Sequence, residues 1–320
     1  MGMNPFYKFP EEIRPYFVQF DQRFAELWAA PKVEDAWMDV PGLVDPINMA
    51  YGAAKAVSTM PSGLVEFMQE QGNPVFAELS AMSREYTWNK KFDFNVKEEH
   101  EKLASDTFTG WGWLPQKMMQ ARRKLWRKNY IGVWDGTDAA ALGWDGKKLF
   151  ATDHKVNLVD TASGTQSNLR GSLAFSATNL QTALGYWKAR KNIDGETMGG
   201  SPWGIWAGID VSEAIRDLIL PERRSTSGDT TTDKFRGRFP GAVAEIPQLA
   251  TATDWGFWDF TDPLMRPIVR IVGNGGDLER IVHGPDSAQW LAGFAAMQYK
   301  ERLRVTAGLY HGVMKFTVAA

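Results

Sequence analysis

An α+β fold is what this sequence predicts, and three observations carry the prediction. Apolar residues recur with a period of two through Phe92, Phe94 and Val96, preceded by Tyr86 and Trp88, which is the pattern of half-buried strands. Leu114, Met118, Ala121 and Leu125 repeat at the helical period, joined by Trp126, and Leu180, Ala183, Leu184 and Trp187 do the same behind Ser176. Further strands are written into AEIPQLATATDWGFWDF, RPIVRIVG and a closing stretch rich in Val, Leu, Tyr and Phe, whose poor alternation suits burial on both faces of a mixed sheet.

Taken in order, residues 1 to about 60 carry Pro5, Pro10, Pro15, Pro31, Pro41 and Pro46 with aromatics between them. Repeated Pro keeps helices short and the backbone extended, so Phe6, Tyr7, Phe9, Tyr16, Phe17 and Phe20 are expected on an arm that packs on another surface. Leu64, Phe67 and Met68 predict a short helix over 63–71, stopped by Gly72-Asn73-Pro74. Asn89-Lys90-Lys91 is expected to separate the strand of Tyr86 from that of Phe92, making one long hairpin. Such a hairpin is marginal alone and needs a neighbour to be ordered.

The most legible helix follows, with Pro115 suited to its first turn. Its other faces hold Lys117, Arg122, Arg123, Lys124, Arg127 and Lys128 and no acid, so it forgoes helix-stabilising pairs and adds like-charge repulsion. An outside source of negative charge is therefore expected, against the plainer reading of a solvated basic face. From Trp144 to Trp187 come a turn, a long polar excursion and a helix that Ser176 caps by accepting from a free backbone N–H. GGSPWGIWAGIDVSEAIRDLIL reads as turn, strand and a helix capped at Asp210 or Ser212, with Ala214, Ile215, Leu218 and Ile219 on its buried side. Residues 222–241 are polar and loop-like, and Asp286 or Ser287 is expected to cap a last short helix through Trp290 and Leu291.

Composition narrows the function more than it names it. A chain of 320 residues has room for a large core in one or two domains. Thirty-six basic against thirty-eight acidic residues leave a net charge of −2, so the whole is no polycation. With zero Cys there are no disulfides, thiolate metal sites or thiol nucleophiles. No apolar run is long enough to span a membrane, and the start lacks a secretory pattern. Fourteen Trp and eighteen Phe are the signature of a protein rich in interfaces or of one that binds sugar.

Candidate chemistry is thin. His100, His154, His283 and His311 have no partner at ligand spacing. Asp153-His154 with Asp160 can be read as a hard-metal or acid/base site, or as a turn-capping Asp beside an ordinary His. Trp255, Trp258, Asp259 and Asp262 invite a glycosidase reading, against core tryptophans near a turn Asp. No P-loop, dinucleotide or nucleophile-elbow motif is present, and no catalytic, cofactor or metal residue is assigned.

Four words in fixed order carry a family resemblance: DGKKLF, DHKVN, QSNL and LAFSATNLQTAL, between Asp145 and Leu184. Together they resemble the central signature of the Mu-like phage major head subunit family, capsid proteins with the Hong Kong 97-like fold. FWDFTDPLMRPIVRIV resembles that family's strand pair, and YKERLRVTAGLYHGV its closing strand, so the resemblance runs from about Phe92 onward.

The resemblance implies an N-terminal arm over 1–70, an extended loop over 71–97, a peripheral domain over 98–145 and 264–320 with a spine helix at about 114–131, and an axial domain over 146–263. It implies a non-enzymatic shell subunit forming hexamers and pentamers around double-stranded DNA, located in the virion and made in the host cytoplasm. The six basic spine residues then meet DNA or a neighbour, Tyr86, Trp88, Phe92 and Phe94 meet an adjacent subunit, and Phe6, Tyr7, Phe9, Tyr16 and Phe17 are arm contacts. A separate scaffold protein, a portal and a decoration protein are the further partners expected; with the chain starting at Met1, no scaffolding segment is expected to have been cut from it. Rival readings are an encapsulin-like cage, a Trp-rich carbohydrate-active enzyme and a tail or baseplate protein.

Overall fold

The structure, a computed structural model, describes residues 11, 14–29, 33–49, 55–62, 80–87, 90–99, 114–157, 164–192, 195–219, 235, 238–241, 243–261, 265–273 and 279–318. The axis of the first sheet is β13, Phe294–Ala307. On one flank it pairs antiparallel with β4, Lys90–Glu99; on the other with β11, Ile268–Gly273, and β12, Glu279–His283. Leu303 is partnered by both Lys90 and Val272, and Tyr299 by both Phe94 and Arg280, so β11 and β12 follow one another along the flank opposite β4. β1, Val44–Met49, closes the sheet as a parallel neighbour of β11.

Alternation along β13 sets its two faces. Met297, Tyr299, Leu303 and Val305 are buried, while Gln298, Lys300, Arg302 and Arg304 between them are half-buried. Helices α1, Arg14–Ala29, and α2, Leu114–Trp134, pack on each other, and α2 packs on β13. Phe20 and Phe24 of α1 lie 5.9 and 5.7 Å from the Tyr299 ring.

That helix corrects the reading of an extended, proline-broken start. Pro15 stands in the first turn of α1, where its missing N–H costs nothing, and no further Pro interrupts before Pro31. Phe17, Phe20 and Phe24 then share one buried face at 0%, 2% and 2% exposure, so their burial is met within the chain. Tyr16 is half-buried. Phe6, Tyr7, Phe9 and the helix expected over 63–71 lie outside the described residues.

The expected hairpin also changes partners. β2, Lys55–Ser62, pairs antiparallel with β3, Ser80–Thr87, in register from Lys55 opposite Thr87 to Ser62 opposite Ser80. β4 joins β13, with Phe92, Phe94 and Val96 in register with Glu301, Tyr299 and Met297. Lys90 and Lys91, expected at a break, are instead the first residues of β4, opposite Leu303 and Arg302, and β3 and β4 belong to two different sheets. Both stretches are strands, as the period of two implies, but their pairing is long-range and left no mark in the local sequence. Trp88 lies outside the described residues.

The second sheet runs β7 (Leu169–Arg170), β14 (Val313–Phe316), β10 (Trp255–Trp258), β8 (Gly204–Ala207), β9 (Val243–Glu245). Its outer pairs are parallel and its inner pairs antiparallel. Every residue of β8, β10 and β14 is buried, which is why these strands read as apolar runs. A third, two-stranded pair joins β5, His154–Lys155, to β6, Thr165–Gln166. Helix α3, Ala177–Lys188, is capped as expected, Ser176 Oγ accepting from Asn179 N at 3.1 Å, and buries Leu180, Ala183, Leu184 and Trp187. Helix α4, Ile209–Ile219, buries Ser212, Ile215, Leu218 and Ile219 and exposes Ala214. Ser212 is no cap: its hydroxyl donates to Glu245 Oε2 on β9 at 2.7 Å. A short helix α5, Ala288–Leu291, follows Ser287, whose carbonyl accepts from Leu291 N.

Two segment assignments move with these pairings. The closing stretch is two strands, because the chain turns at Gly308, where any Cβ would meet Arg266 O, and re-emerges as β14 in the second sheet. β1, expected within the arm, belongs to the first sheet. One aromatic core spans both sheets: Trp134, at the end of α2, sits 5.8, 5.5, 5.3 and 6.2 Å from the rings of Trp37, Phe150, Trp206 and Trp258. Trp187 and Trp255 are equally buried in the cluster beneath α3 and α4. Among the described residues these tryptophans build the interior, where the sequence suggested interfaces or a sugar site.

Candidate functional site: the long basic helix

α2 begins at Leu114 with Pro115 in its first turn and extends to Trp134, a turn beyond the expected end. Its buried side is Met118, Met119, Arg122, Asn129, Tyr130, Val133 and Trp134. Ala121, expected inside, is exposed, and Leu125 and Trp126 are half-buried. The face is rotated because an arginine occupies the core. Arg122, 2% exposed, donates through Nε to Glu301 Oε2 at 2.8 Å and through Nη2 to Oε1 at 2.6 Å. Trp126 Nε1 adds a third bond to Oε2 at 3.2 Å. A two-pronged guanidinium–carboxylate pair satisfies both charges out of water, which is what permits it inside.

The other arginines also turn inward. Arg127 Nε reaches Asp35 Oδ1 at 2.7 Å, and Arg123 Nη2 donates to Leu27 O of α1 at 2.9 Å. The acids missing from the helix therefore come from this same chain, 179 and 92 residues away in sequence. For Arg122 and Arg127 this corrects the expectation that DNA or a neighbour supplies the negative charge. What remains on the solvent side is Lys117, Lys124 and Lys128, all exposed. Glu301 was readable in hindsight, being a charged residue in phase with the core positions Tyr299 and Leu303; Asp35 carried no such signal.

A second buried charge group ties α2 to the other sheet. Lys315 Nζ of β14 lies 2.6 Å from Asp254 Oδ2 and 3.9 Å from Asp135 Oδ1, just past the helix. Burial pushes the Asp135 carboxyl up, against the bond from Ala250 N and the charge of Lys315.

Asp153 and His154 are engaged with different partners. Asp153 is exposed and paired with Lys147, while Asp160 lies outside the described residues. His154 is buried, with Nδ1 2.7 Å from Asp145 Oδ2, Nε2 3.2 Å from Leu149 O, and its ring stacked on Tyr310 at 3.9 Å. Burial raises the Asp145 carboxyl, but the bond to and charge of His154, with two backbone N–H groups, outweigh it and hold the group below its ordinary value. Tyr310 donates to Lys155 O at 2.8 Å, and Arg190 packs on Trp187 and donates to His311 O. These groups are engaged in holding the crossover between the two sheets. Among the described residues no group of three or more His, Cys, Asp or Glu is placed to hold a metal. Trp255 and Trp258 are fully buried, and Asp259 Oδ1 accepts from Thr261, so the glycosidase reading loses its platform. No helix among the described residues is long and apolar enough to cross a membrane.

Of the expected extended-loop contacts, Tyr86 stands on β3, while Phe92 and Phe94 stand on β4, paired with β13 in the first sheet.

No family model matches the chain, and no curated protein matches it in sequence. Solved structures do match in fold. The cyanophage P-SCSP1u capsid aligns with TM-score 0.53 at 10% identity over 87% of each chain. The mature capsid of bacteriophage PhiM1 gives 0.52 at 10% identity over 88% of this chain and 87% of that one. The capsid of an empty GTA particle gives 0.51 at 11% identity over 91% of this chain and 92% of its own. The chain therefore has, over nearly its whole length, the mixed helix-and-sheet fold of these capsid chains.

Proposed function

We propose that this chain is the major capsid protein of a tailed bacteriophage, of the Hong Kong 97-like type and the Mu-like subgroup, assembling into the hexamers and pentamers of an icosahedral head. The observation that carries the reading is the match to capsid chains over almost the full length of both partners, with neither side having a large unmatched domain. Burial of the aromatic excess in the core, and use of the buried polar groups as struts, fit a subunit built for contact surfaces over one built around a cleft.

In this reading the β2–β3 hairpin is the extended loop, the first sheet with α1 and α2 is the peripheral domain, and the second sheet with α3 and α4 is the axial domain. Assembly is the activity: many small repeated contacts add over a closed lattice while each stays reversible enough to correct errors. The chain acts in the virion around DNA, with a scaffold, a portal and a decoration protein as the partners such a head recruits.

The test is sedimentation and negative-stain imaging of the purified full chain. Closed particles of uniform diameter are expected. Monomers alone at high concentration, or open tubes, contradict the reading.

A further inference from the structure

A lysine amine is enclosed in this chain with two carboxyls beside it. Lys315 of β14 stands opposite Gly256 of β10, and Asp254 precedes Gly256 by two residues, so strand alternation sets both side chains on one face of the second sheet. They meet there, Lys315 Nζ lying 2.6 Å from Asp254 Oδ2. Gly256 puts no side chain between them, and a Cβ there would strike the Trp206 ring. Phe150 lies 5.8 Å from the amine and 5.7 Å from Trp206, so the walls are aromatic.

The third group comes from the end of α2. Ala250 N fixes Asp135 Oδ2 at 2.9 Å, and Oδ1 lies 3.9 Å from the Lys315 amine. The side chains of Lys315, Asp254 and Asp135 are 11%, 2% and 4% exposed. Among the described residues, Asp135 Oδ1 and Asp254 Oδ1 are buried without a hydrogen-bond partner. One cation between two buried carboxyls leaves a proton on one of them. Burial, and with it the charge of Asp254, raises the Asp135 carboxyl and so favours its acid form. An amine touching one carboxyl, a second carboxyl in acid form, and walls that exclude water are the components of an amide condensation.

We infer that Lys315 and Asp254 condense in the folded chain to an intramolecular isopeptide bond, with Asp135 as the proton carrier. Proton transfer within the ion pair gives the free amine and the neutral Asp254 carboxyl. The amine lone pair adds to Asp254 Cγ and forms the N–C bond. Asp135 gives its proton to the departing hydroxyl and takes one from the nitrogen; the Cγ–O bond breaks and one water leaves. No oxidant or co-reactant enters. The product replaces two buried charges by a neutral amide, which removes their desolvation cost, and it ties β14 to the head of β10. The inference is independent of the shell reading, since it needs only the folded chain.

The test is mass spectrometry of the purified full chain, intact under denaturing conditions and after proteolysis. The wild-type chain is expected to be one water lighter than its unlinked form, and proteolysis to release a branched peptide joining the segments of Lys315 and Asp254. Lys315→Arg keeps a cation beside both carboxyls and is expected to show the full mass. Asp135→Asn is expected to leave most of the chain unlinked while still melting cooperatively; linkage at the wild-type level there overturns the role given to Asp135.

A folded wild-type chain at full mass overturns the inference and reduces the three groups to an ion pair. A water lost equally from wild type and Lys315→Arg overturns it too, because ring closure at Asp135-Gly136 or Asp145-Gly146 loses the same mass without the lysine. The wild-type peptide map decides the matter even where a variant fails to fold.

Discussion

The two sides of α2 hold the same kind of charge in opposite circumstances. Arg122 is enclosed, with both prongs on Glu301, whereas Lys124 and Lys128, two and six residues further along the helix, stand in solvent. Arginine suits the inner position because its planar fork meets a carboxylate with two bonds and it is weakly hydrated; lysine, a strongly hydrated point charge, suits the outer one. A basic helix is therefore not one surface. Counting its cations overstates what it offers a partner, because its three arginines brace the chain that carries them.

Breaking the inner side should have the largest effect. Arg122→Gln leaves the buried Glu301 carboxylate without its cation, held by the Trp126 N–H, and is expected to cost about 3–5 kcal/mol in urea unfolding. Replacing both partners by apolar residues of similar volume should recover most of that loss. A cost below about 1 kcal/mol for the single change means that the pair is more hydrated than its geometry indicates.

A buried titratable histidine, kept neutral, sharpens the contrast further. Burial, and after it the charge of Arg190, hold His311 down to about 3 against an ordinary 6.5. The unfolded chain takes up that proton first as pH falls, so the stability tied to neutral His311 is full above about 6.5 and is lost towards about 3. The depressed Asp145 carboxyl, held by His154, acts in the same direction lower in the range. Urea midpoints between pH 7 and 4 should fall steeply, and His311→Gln should flatten the slope; equal slopes in the two proteins contradict the assignment.

The outer side should give the smallest stability change. Lys124→Gln with Lys128→Gln is expected to leave unfolding within about 0.5 kcal/mol of wild type while still altering assembly. A large stability loss here means that the exposed lysines brace the fold after all.

These contrasts also mark where the sequence stopped being legible. Local rules gave α3 correctly, because the Ser176 hydroxyl and the spacing of Leu180, Leu184 and Trp187 are determined within twelve residues. The start and approximate length of α2 were equally plain from Pro115 and the helical period. Its buried face was not, since Arg122 becomes a core residue only through a carboxylate 179 positions away. Strand partners failed for the same reason: β3 and β4 are neighbours in sequence and belong to different sheets. The proline-rich start misled in a different way. Pro15 begins a helix as readily as an internal Pro ends one, and the gap before Pro31 was long enough for α1. Of the candidate contacts, the lysines were legible as charge, but which cations of the helix turn inward was not.

The most direct measurement is a cryo-electron reconstruction of particles formed by the purified chain. The account predicts a closed shell tiled by rings of five and six copies, each copy carrying the two-sheet fold described above. A monodisperse single chain under every assembly condition, or a tube with one ring type throughout, contradicts it.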